Sequence, residues 1–183
     1  MHRSDATQLW RALPKEDYRI EIAGVLVRIV NVGAQFLVSG ALDKAADTAG
    51  VSPEGAGALG LVTGPRLSLR LARERLLIVS DNEEALTPGW HDHGYAVTSM
   101  SGALIVFEIA GQRAIEIVKR ATTLSLAQPG RSAAVSFAGA NAYLYRFGEE
   151  GTIRVHIDRG LAGYLWQWFE EFDRLTPTEV AGL

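Results

Sequence analysis

The sequence predicts an α+β protein of two packed halves, each a β-α-β-β-α unit, with mostly antiparallel sheets. Three observations predict this class. Short runs rich in β-branched residues alternate with segments whose apolar residues recur at i, i+3, i+4 and i+7, the spacing of an amphipathic helix. Paired runs at 67–80 and 142–157 have the pattern of β-hairpins. The same order of elements occurs twice along the chain, which predicts an internal duplication.

The first half begins after a short predicted helix that carries Leu9 and Trp10 and ends at Pro14. The elements that follow are, in order, strands at 20–30 and 35–39, a helix at 41–49, a glycine-rich loop at 50–64, and a hairpin of strands at 67–72 and 75–80. Asp81 or Asn82 is expected to cap a short helix that ends before Pro88.

The second half repeats this order. Its predicted elements are a strand at 95–101, a strand at 104–110, a helix that buries Ala114, Ile117, Val118 and Ala121, strands at 133–137, 142–147 and 152–157, and a last helix. Asp158 is expected to cap that helix. Its apolar stripe is Leu161, Leu165, Trp168, Phe169 and Phe172.

We treat residues 1–183 as one domain with a first half at about 20–90 and a second at about 95–175. Neither half has enough strands to cover both faces of a sheet, so the two are expected to pack together. The alternative is a coincidence between two common α+β patterns, since few residues are identical between the halves.

Composition excludes several classes of function. The net charge of −3 gives no field that favours nucleic acid or an anionic membrane. The absence of cysteine excludes disulfides, thiolate metal sites and a cysteine nucleophile. Residues 1–14 lack the apolar core of a secretory signal, and no stretch approaches the about 20 apolar residues of a membrane span. We therefore expect a cytoplasmic protein.

The glycines at 55, 57 and 60 match the dinucleotide fingerprint G-x-G-x-x-G, with Asp81 at the usual distance beyond it. That fingerprint must follow a buried strand and open a helix. Here Pro53 precedes the glycines, and Gly64 and Pro65 would interrupt any helix. We interpret the stretch as a flexible loop rather than a nucleotide cradle.

Three other groups of residues are candidates for a metal-binding, acidic or basic site. His91, Asp92 and His93 offer metal ligands, but no further ligands lie at helical or hairpin spacing, so we interpret them as a solvated connector. Glu149 and Glu150 fall in a predicted hairpin turn, where we expect them to be solvated. Arginines at 66, 70, 73 and 75 alternate with leucines and are interpreted as structural. No G-x-S-x-G elbow is present.

The second hairpin combines aromatic and cationic residues. A four-residue loop at 148–151 places Tyr145 opposite Arg154 and Tyr143 opposite His156 on one face. Such a face could stack a flat ligand or dock a partner, but we favour a role in packing the two halves together. In the last helix Tyr164 and Trp166 lie off the apolar stripe, so that helix is either deeply enclosed or in contact with another subunit.

The chain resembles the gamma subunit of heterotetrameric sarcosine oxidase. The resemblance extends over about 35–172 and is carried by the order and spacing of several segments. They are VTSMS at 97–101, LIVFEIAG at 104–111 with Ala114, ATTLSL at 121–126, and IDRGLA at 157–162 with Leu165, Trp166 and Trp168. Where relatives often carry Asp, and His or Asp just after the serine, this chain has Ser99 and Gly102.

The resemblance implies a fold like that of the folate-binding aminomethyltransferases, as in the glycine-cleavage T protein. It also implies a non-catalytic subunit of a complex that demethylates sarcosine oxidatively. Flavins, NAD and tetrahydrofolate would be held by the other subunits. No catalytic, cofactor-binding or metal-binding residue is carried over to this chain.

Two alternatives remain open. A stand-alone tetrahydrofolate-binding or one-carbon-transfer protein would need a buried acid near an aromatic pocket, and Glu108, the one acid in an apolar strand, is its candidate. A structural homodimer without ligand would use the aromatic last helix against itself.

Overall fold

In a computed structural model, the structure describes residues 19–22 and 24–172. The short helix predicted around Leu9 and Trp10 lies outside them. The strands are β1 (Arg19–Ile22), β2 (Val25–Val30), β3 (Ala34–Gly40), β4 (Leu61–Val62), β5 (Leu67–Ala72), β6 (Arg75–Ser80), β7 (Gly89–His91), β8 (Tyr95–Ser99), β9 (Leu104–Ala110), β10 (Ala134–Phe137), β11 (Ala140–Phe147) and β12 (Thr152–Asp158). The helices are α1 (Leu42–Ala49), α2 (Ala114–Ala121) and α3 (Ala162–Glu171).

The described strands form two sheets. The large sheet has the order β1-β2-β9-β12-β11-β10, with the short β4 parallel to β11, and the small sheet has the order β5-β6-β3-β8-β7. Apart from β4, neighbouring strands in both sheets run antiparallel. The predicted α+β class with mostly antiparallel sheets is therefore confirmed.

The elements stack in layers because each sheet has one apolar face for a helix and one for the other sheet. Helices α2 and α3 cover the outer face of the large sheet, where Phe107, Ile117 and Phe169 belong to one buried cluster. Helix α1 covers the outer face of the small sheet through Leu42, Ala45 and Ala49. A third cluster, which includes Leu77 and Tyr145, lies between the sheets.

The two sheets share an order of pairing. In the small sheet β6 lies between β3 and β5, and in the large sheet β12 lies between β9 and β11. The hairpin that precedes each set joins the other sheet, because β2 pairs with β9 and β8 pairs with β3. Residues 19–30, which the sequence places with the first half, thus lie in the sheet of the second.

Several predicted boundaries differ from the structure. The run at 20–30 is two strands, because the chain turns at Gly24, where φ is 82°. The helix expected after Asp81 is absent, and residues 81–88 form turns instead. The Asn82 side chain accepts a hydrogen bond from the backbone N–H of Glu84, a local turn that competes with a helix too short to nucleate before Pro88. The first half therefore lacks the second helix of the predicted unit.

Asp158 caps the 3-10 turn that precedes the last helix and not α3 itself, which begins at Ala162 without a side-chain cap. The Oδ1 atom of Asp158 accepts a hydrogen bond of 2.7 Å from the backbone N–H of Gly160, and a single 3-10 turn leads into α3. Within the described residues, none of the helices has the length and apolar character needed to cross a bilayer.

Candidate functional site

Polar side chains lie on the inner face of the large sheet, where it meets the small sheet. Strands β2, β9 and β12 are neighbours, and their register places Arg28 and Arg154 directly opposite Glu108 on either side. Because successive residues of a strand face opposite ways, Phe107 and Ile109 contact the helices while Glu108 points between the sheets. The strand order thus assembles an Arg28–Glu108–Arg154 ion-pair triad.

The triad has close charge-assisted geometry. The Oε1 atom of Glu108 lies 2.6 Å from Nη2 and 3.0 Å from Nε of Arg28. Its Oε2 atom lies 2.9 Å from Nε and 2.8 Å from Nη2 of Arg154. Burial, with 5% of Glu108 exposed, raises the pKa of its carboxyl, but the hydrogen bonds from Arg28 and Arg154 outweigh burial and hold that pKa below its usual value. The carboxylate is therefore charged, and the triad has one positive charge in surplus.

A second polar group continues across the gap between the sheets. The Nε2 atom of His156 lies 3.1 Å from the Tyr145 hydroxyl, and its Nδ1 atom lies 2.7 Å from Oε1 of Gln35 on β3. An amide oxygen only accepts, so Nδ1–H donates to Gln35 and Nε2 accepts from Tyr145. This chain of hydrogen bonds connects the large sheet to the small one.

Burial holds both titratable members of this chain in their neutral forms. Complete burial, helped by the charge of Arg154, lowers the pKa of His156 to about 3. Burial raises the pKa of Tyr145 to about 12, against the lowering effect of Arg154. Because the described residues expose no part of the His156 and Tyr145 side chains, a substrate has no path to either of them. The arrangement suits a structural connection better than acid–base catalysis.

A cavity of about 540 Å³ opens beside this network at the edge of the interface between the sheets. Arg154 forms part of its wall, and its guanidinium carbon lies 3.4 Å from the centre of the Phe147 ring. Other lining residues are Asn31, Val32, Leu67, Val79 and Asp81. The cavity thus combines apolar walls, one partly exposed cation and one carboxylate.

The glycine motif forms a loop, as predicted, and no helix follows it, so it lacks the geometry of a nucleotide cradle. Its predicted flexibility is wrong, because backbone hydrogen bonds connect it to both sheets, such as that from the N–H of Arg146 to Gly60. A Cβ atom on Gly57 would lie 1.7 Å from the carbonyl oxygen of Gly130. The glycine there permits a close approach of two backbone segments. Asp81 is paired with Arg66 at 3.1 Å.

The residues at 91–93 form part of a hairpin rather than a long connector. His91 belongs to β7, stacks on Tyr95 with ring centres 4.4 Å apart, and donates from Nε2 to the carbonyl of Thr87. Asp92 and His93 are exposed in the turn. In the described part of the chain, no three His, Asp or Glu side chains converge as a metal site would require.

The remaining charged candidates are placed as expected. Glu149 and Glu150 are exposed in the turn between β11 and β12. Arg70 donates from Nε to the carbonyl of Glu54 at 2.7 Å and from Nη1 to that of Arg73 at 3.0 Å, so its role is structural. Ser99 and Gly102, the positions of departure from the resembled family, are both exposed.

The prediction for the second hairpin is confirmed in register and in role. Tyr145 pairs with Arg154 and Tyr143 with His156. Tyr145 is fully buried in the cluster between the sheets, so this face packs the two layers together. In α3, Trp166 is buried by the chain's own residues, whereas Tyr164 is 51% exposed and donates to the carbonyl of Ala138.

The sequence pointed to Glu108 but not to its partner Arg28, nor to Gln35, the partner of His156. Arg28 lies within the apolar run 25–30. Its position between Val27 and Ile29 was the one sequence signal that its side chain points to the opposite face of the strand. Gln35 was counted as an ordinary strand residue, although it is 4% exposed and carries the contact with His156. Neither partner is adjacent in sequence, so no local spacing pointed to them.

Comparison with known proteins gives a structural likeness and no likeness by sequence. No family profile matches the chain, and no curated protein matches it by sequence. A chain of the heterotetrameric sarcosine oxidase from Corynebacterium sp. U-96, solved in complex with pyrrole 2-carboxylate, is similar in structure with a TM-score of 0.64. The likeness covers 91% of this chain and 92% of that chain at 20% sequence identity, which shows a shared fold.

Proposed function

We propose that this chain is a non-catalytic, gamma-type subunit of a heterotetrameric sarcosine oxidase-like flavoenzyme complex, in which it stabilises the assembly. The observation that carries the proposal is the shared fold over 91% of this chain and 92% of a chain from such a complex. Coverage that is nearly complete in both directions means that the two chains have similar lengths. The likeness therefore extends over nearly all of the given residues and nearly all of that chain.

The arrangement of the polar groups supports a scaffold role. Glu108 is bound on both oxygens, and His156 has a partner on each ring nitrogen. A catalytic acid or base must instead reach a proton of the substrate. These side chains hold the two sheets together and leave catalysis to other subunits.

We further propose that the two sheets arose by duplication of one unit and that the fold is of the folate-binding aminomethyltransferase type. The shared order, with β6 between β3 and β5 and β12 between β9 and β11, supports this origin. The exchange of the preceding hairpins between the sheets supports it as well, since both hairpins are exchanged in the same manner.

In this proposal the chemistry of the complex resides in its partners. Flavins, NAD and tetrahydrofolate would be bound by the other subunits, which oxidatively demethylate sarcosine in the cytoplasm. A tetrahydrofolate that used Glu108 of this chain would have to displace Arg28 or Arg154 from a carboxylate that is almost fully buried. That cost favours the partner subunits as the folate site.

The start of α3 is the surface that we propose for the contact with a partner subunit. Leu161, at the end of the preceding 3-10 turn, and Tyr164, in the first turn of α3, are both exposed, whereas the other aromatic residues of α3 are buried or half-buried. Exposed aromatic residues are frequent anchors of subunit interfaces. Glu149, an exposed charged residue in the turn between β11 and β12, serves as a control away from this helix.

Co-expression with the other three subunits of a heterotetrameric sarcosine oxidase tests the proposal. We expect a co-purifying complex, weakened by Tyr164→Ser and unchanged by Glu149→Ser. A chain that elutes alone, with either a monomer or a homodimer mass by light scattering, would contradict it. Calorimetric binding of tetrahydrofolate to the isolated chain would favour the stand-alone alternative instead.

A further inference from the structure

We propose that the cavity at the edge of the interface between the two sheets binds a small monocarboxylate with an apolar body. The cavity holds about 540 Å³, within the range of about 300–1,000 Å³ that is usual for small-ligand sites. Arg154, a member of the ion-pair triad, also lines this cavity. The proposal concerns this chain alone and does not depend on any partner subunit.

The charge of the site favours one anion. Two guanidinium groups face the single carboxylate of Glu108, so the triad has a surplus of one positive charge. A guanidinium has five N–H donors, of which Arg154 gives two to Glu108 and has the Tyr145 hydroxyl as a further neighbour. At least two donors therefore remain for a ligand. With 14% of its side chain exposed, Arg154 is partly desolvated, which strengthens a charge-assisted hydrogen bond.

The cavity residues other than Arg154 determine which kind of carboxylate fits. Val32, Pro65 and Phe147 offer apolar surface to the body of the ligand. Asp81 also lines the cavity and is paired with Arg66 at 3.1 Å. Counted with this pair, the triad still leaves one positive charge in surplus, which one carboxylate neutralises and a second would exceed. The site should therefore prefer a monocarboxylate to a dicarboxylate and to a neutral ester.

Titration of the full-length chain with benzoate, methyl benzoate and phthalate, followed by ligand-observed NMR up to about 10 mM, tests the proposal. Benzoate should bind, and both other compounds should bind about tenfold more weakly or worse. The absence of benzoate binding, or equal binding of the ester or of phthalate, would overturn it. These measurements on the unmodified chain decide the question even if a variant fails to fold.

Three variants locate the site. Arg154→Gln should lose at least about tenfold in benzoate affinity because it removes the cation that lines the cavity. Arg146→Gln on the neighbouring strand β11 removes an equal charge outside the cavity lining and should bind as the unmodified chain does. Glu108→Gln should bind about fivefold more tightly, since it removes the carboxylate that competes with the ligand for the Arg154 guanidinium.

The decisive result is that benzoate affinity changes in opposite directions in two of these variants. Arg154→Gln and Glu108→Gln break the same ion pair, so a general loss of structure would weaken binding in both. Equal weakening in both variants, or in Arg146→Gln as well, would overturn the assignment of the site.

Discussion

Acidification should destabilise this protein through His156, and the size of the effect follows from its burial. The ring is completely buried, with Arg154, Tyr145 and Gln35 around it, and its pKa is lowered to about 3. The unfolded chain leaves this ring in water, where its pKa is near 6.5. Between these two values the unfolded state binds a proton that the folded state does not bind, so stability falls as pH falls below the unfolded value.

One pKa unit corresponds to about 1.4 kcal/mol. The contribution of His156 to the free energy of unfolding is intact at pH of about 7.5 and about 2 kcal/mol smaller at pH of about 5, by proton linkage. Glu108 does not dominate this interval, because its pKa lies below the ordinary value of 4.5 and its contribution is lost at lower pH. The change in the free energy of unfolding between these two pH values therefore reports His156 and not Glu108.

Urea denaturation at the two pH values measures the effect. We expect the unmodified chain to lose about 2 kcal/mol more than His156→Gln over this interval, whatever the stability of the variant at neutral pH. His93→Gln, which changes an exposed turn residue, should keep the full pH dependence. Equal losses in the unmodified chain and His156→Gln, or an NMR titration of the His156 ring near pH 6.5, would refute the reasoning.

Three further predictions concern packing. Tyr145→Phe should cost about 1–3 kcal/mol in urea unfolding, because it leaves the buried Nε2 of His156 without a donor; a neutral result would break the proposed chain of hydrogen bonds. Trp166→Ala should cost about 3–5 kcal/mol while Tyr164→Ala stays within about 1 kcal/mol, and similar melting temperatures would contradict the burial of Trp166. Gly57→Ala should lower the melting temperature by several degrees, since its Cβ atom would overlap the Gly130 carbonyl oxygen, whereas Gly102→Ala meets no atom within 4 Å and should melt normally.

Local features of the site were predictable. The register of the second hairpin, with Tyr145 opposite Arg154, follows from a four-residue turn and a period of two, both of which are properties of adjacent residues. Glu108 stood out because a carboxylate in an apolar strand must find a partner when it is buried. Even the glycine motif was correctly interpreted as a loop, although its packing against residues 130–132 was not foreseen.

The partners of these residues were not predictable in the same manner. Arg28 lies 80 residues from Glu108, and Gln35 lies 121 residues from His156. Contacts at such separations depend on which strands become neighbours, and many sheet orders satisfy one hydrophobic pattern. The exchanged hairpins are an example, because β2 could have paired beside β3 without any change in its own sequence pattern.

By itself, the sequence determined the class of the fold, most of the strands, the helices α1, α2 and α3, and most of the faces that these helices bury, because these features depend on periodicity and turns within a few residues of one another. Only the tertiary structure decided that the hairpins change sheets, that two arginines share Glu108, and that a cavity opens beside Arg154. The physical reason is that charge pairing and burial are properties of neighbours in space. A buried carboxylate requires a cation, but only the order of the strands specifies which one it meets.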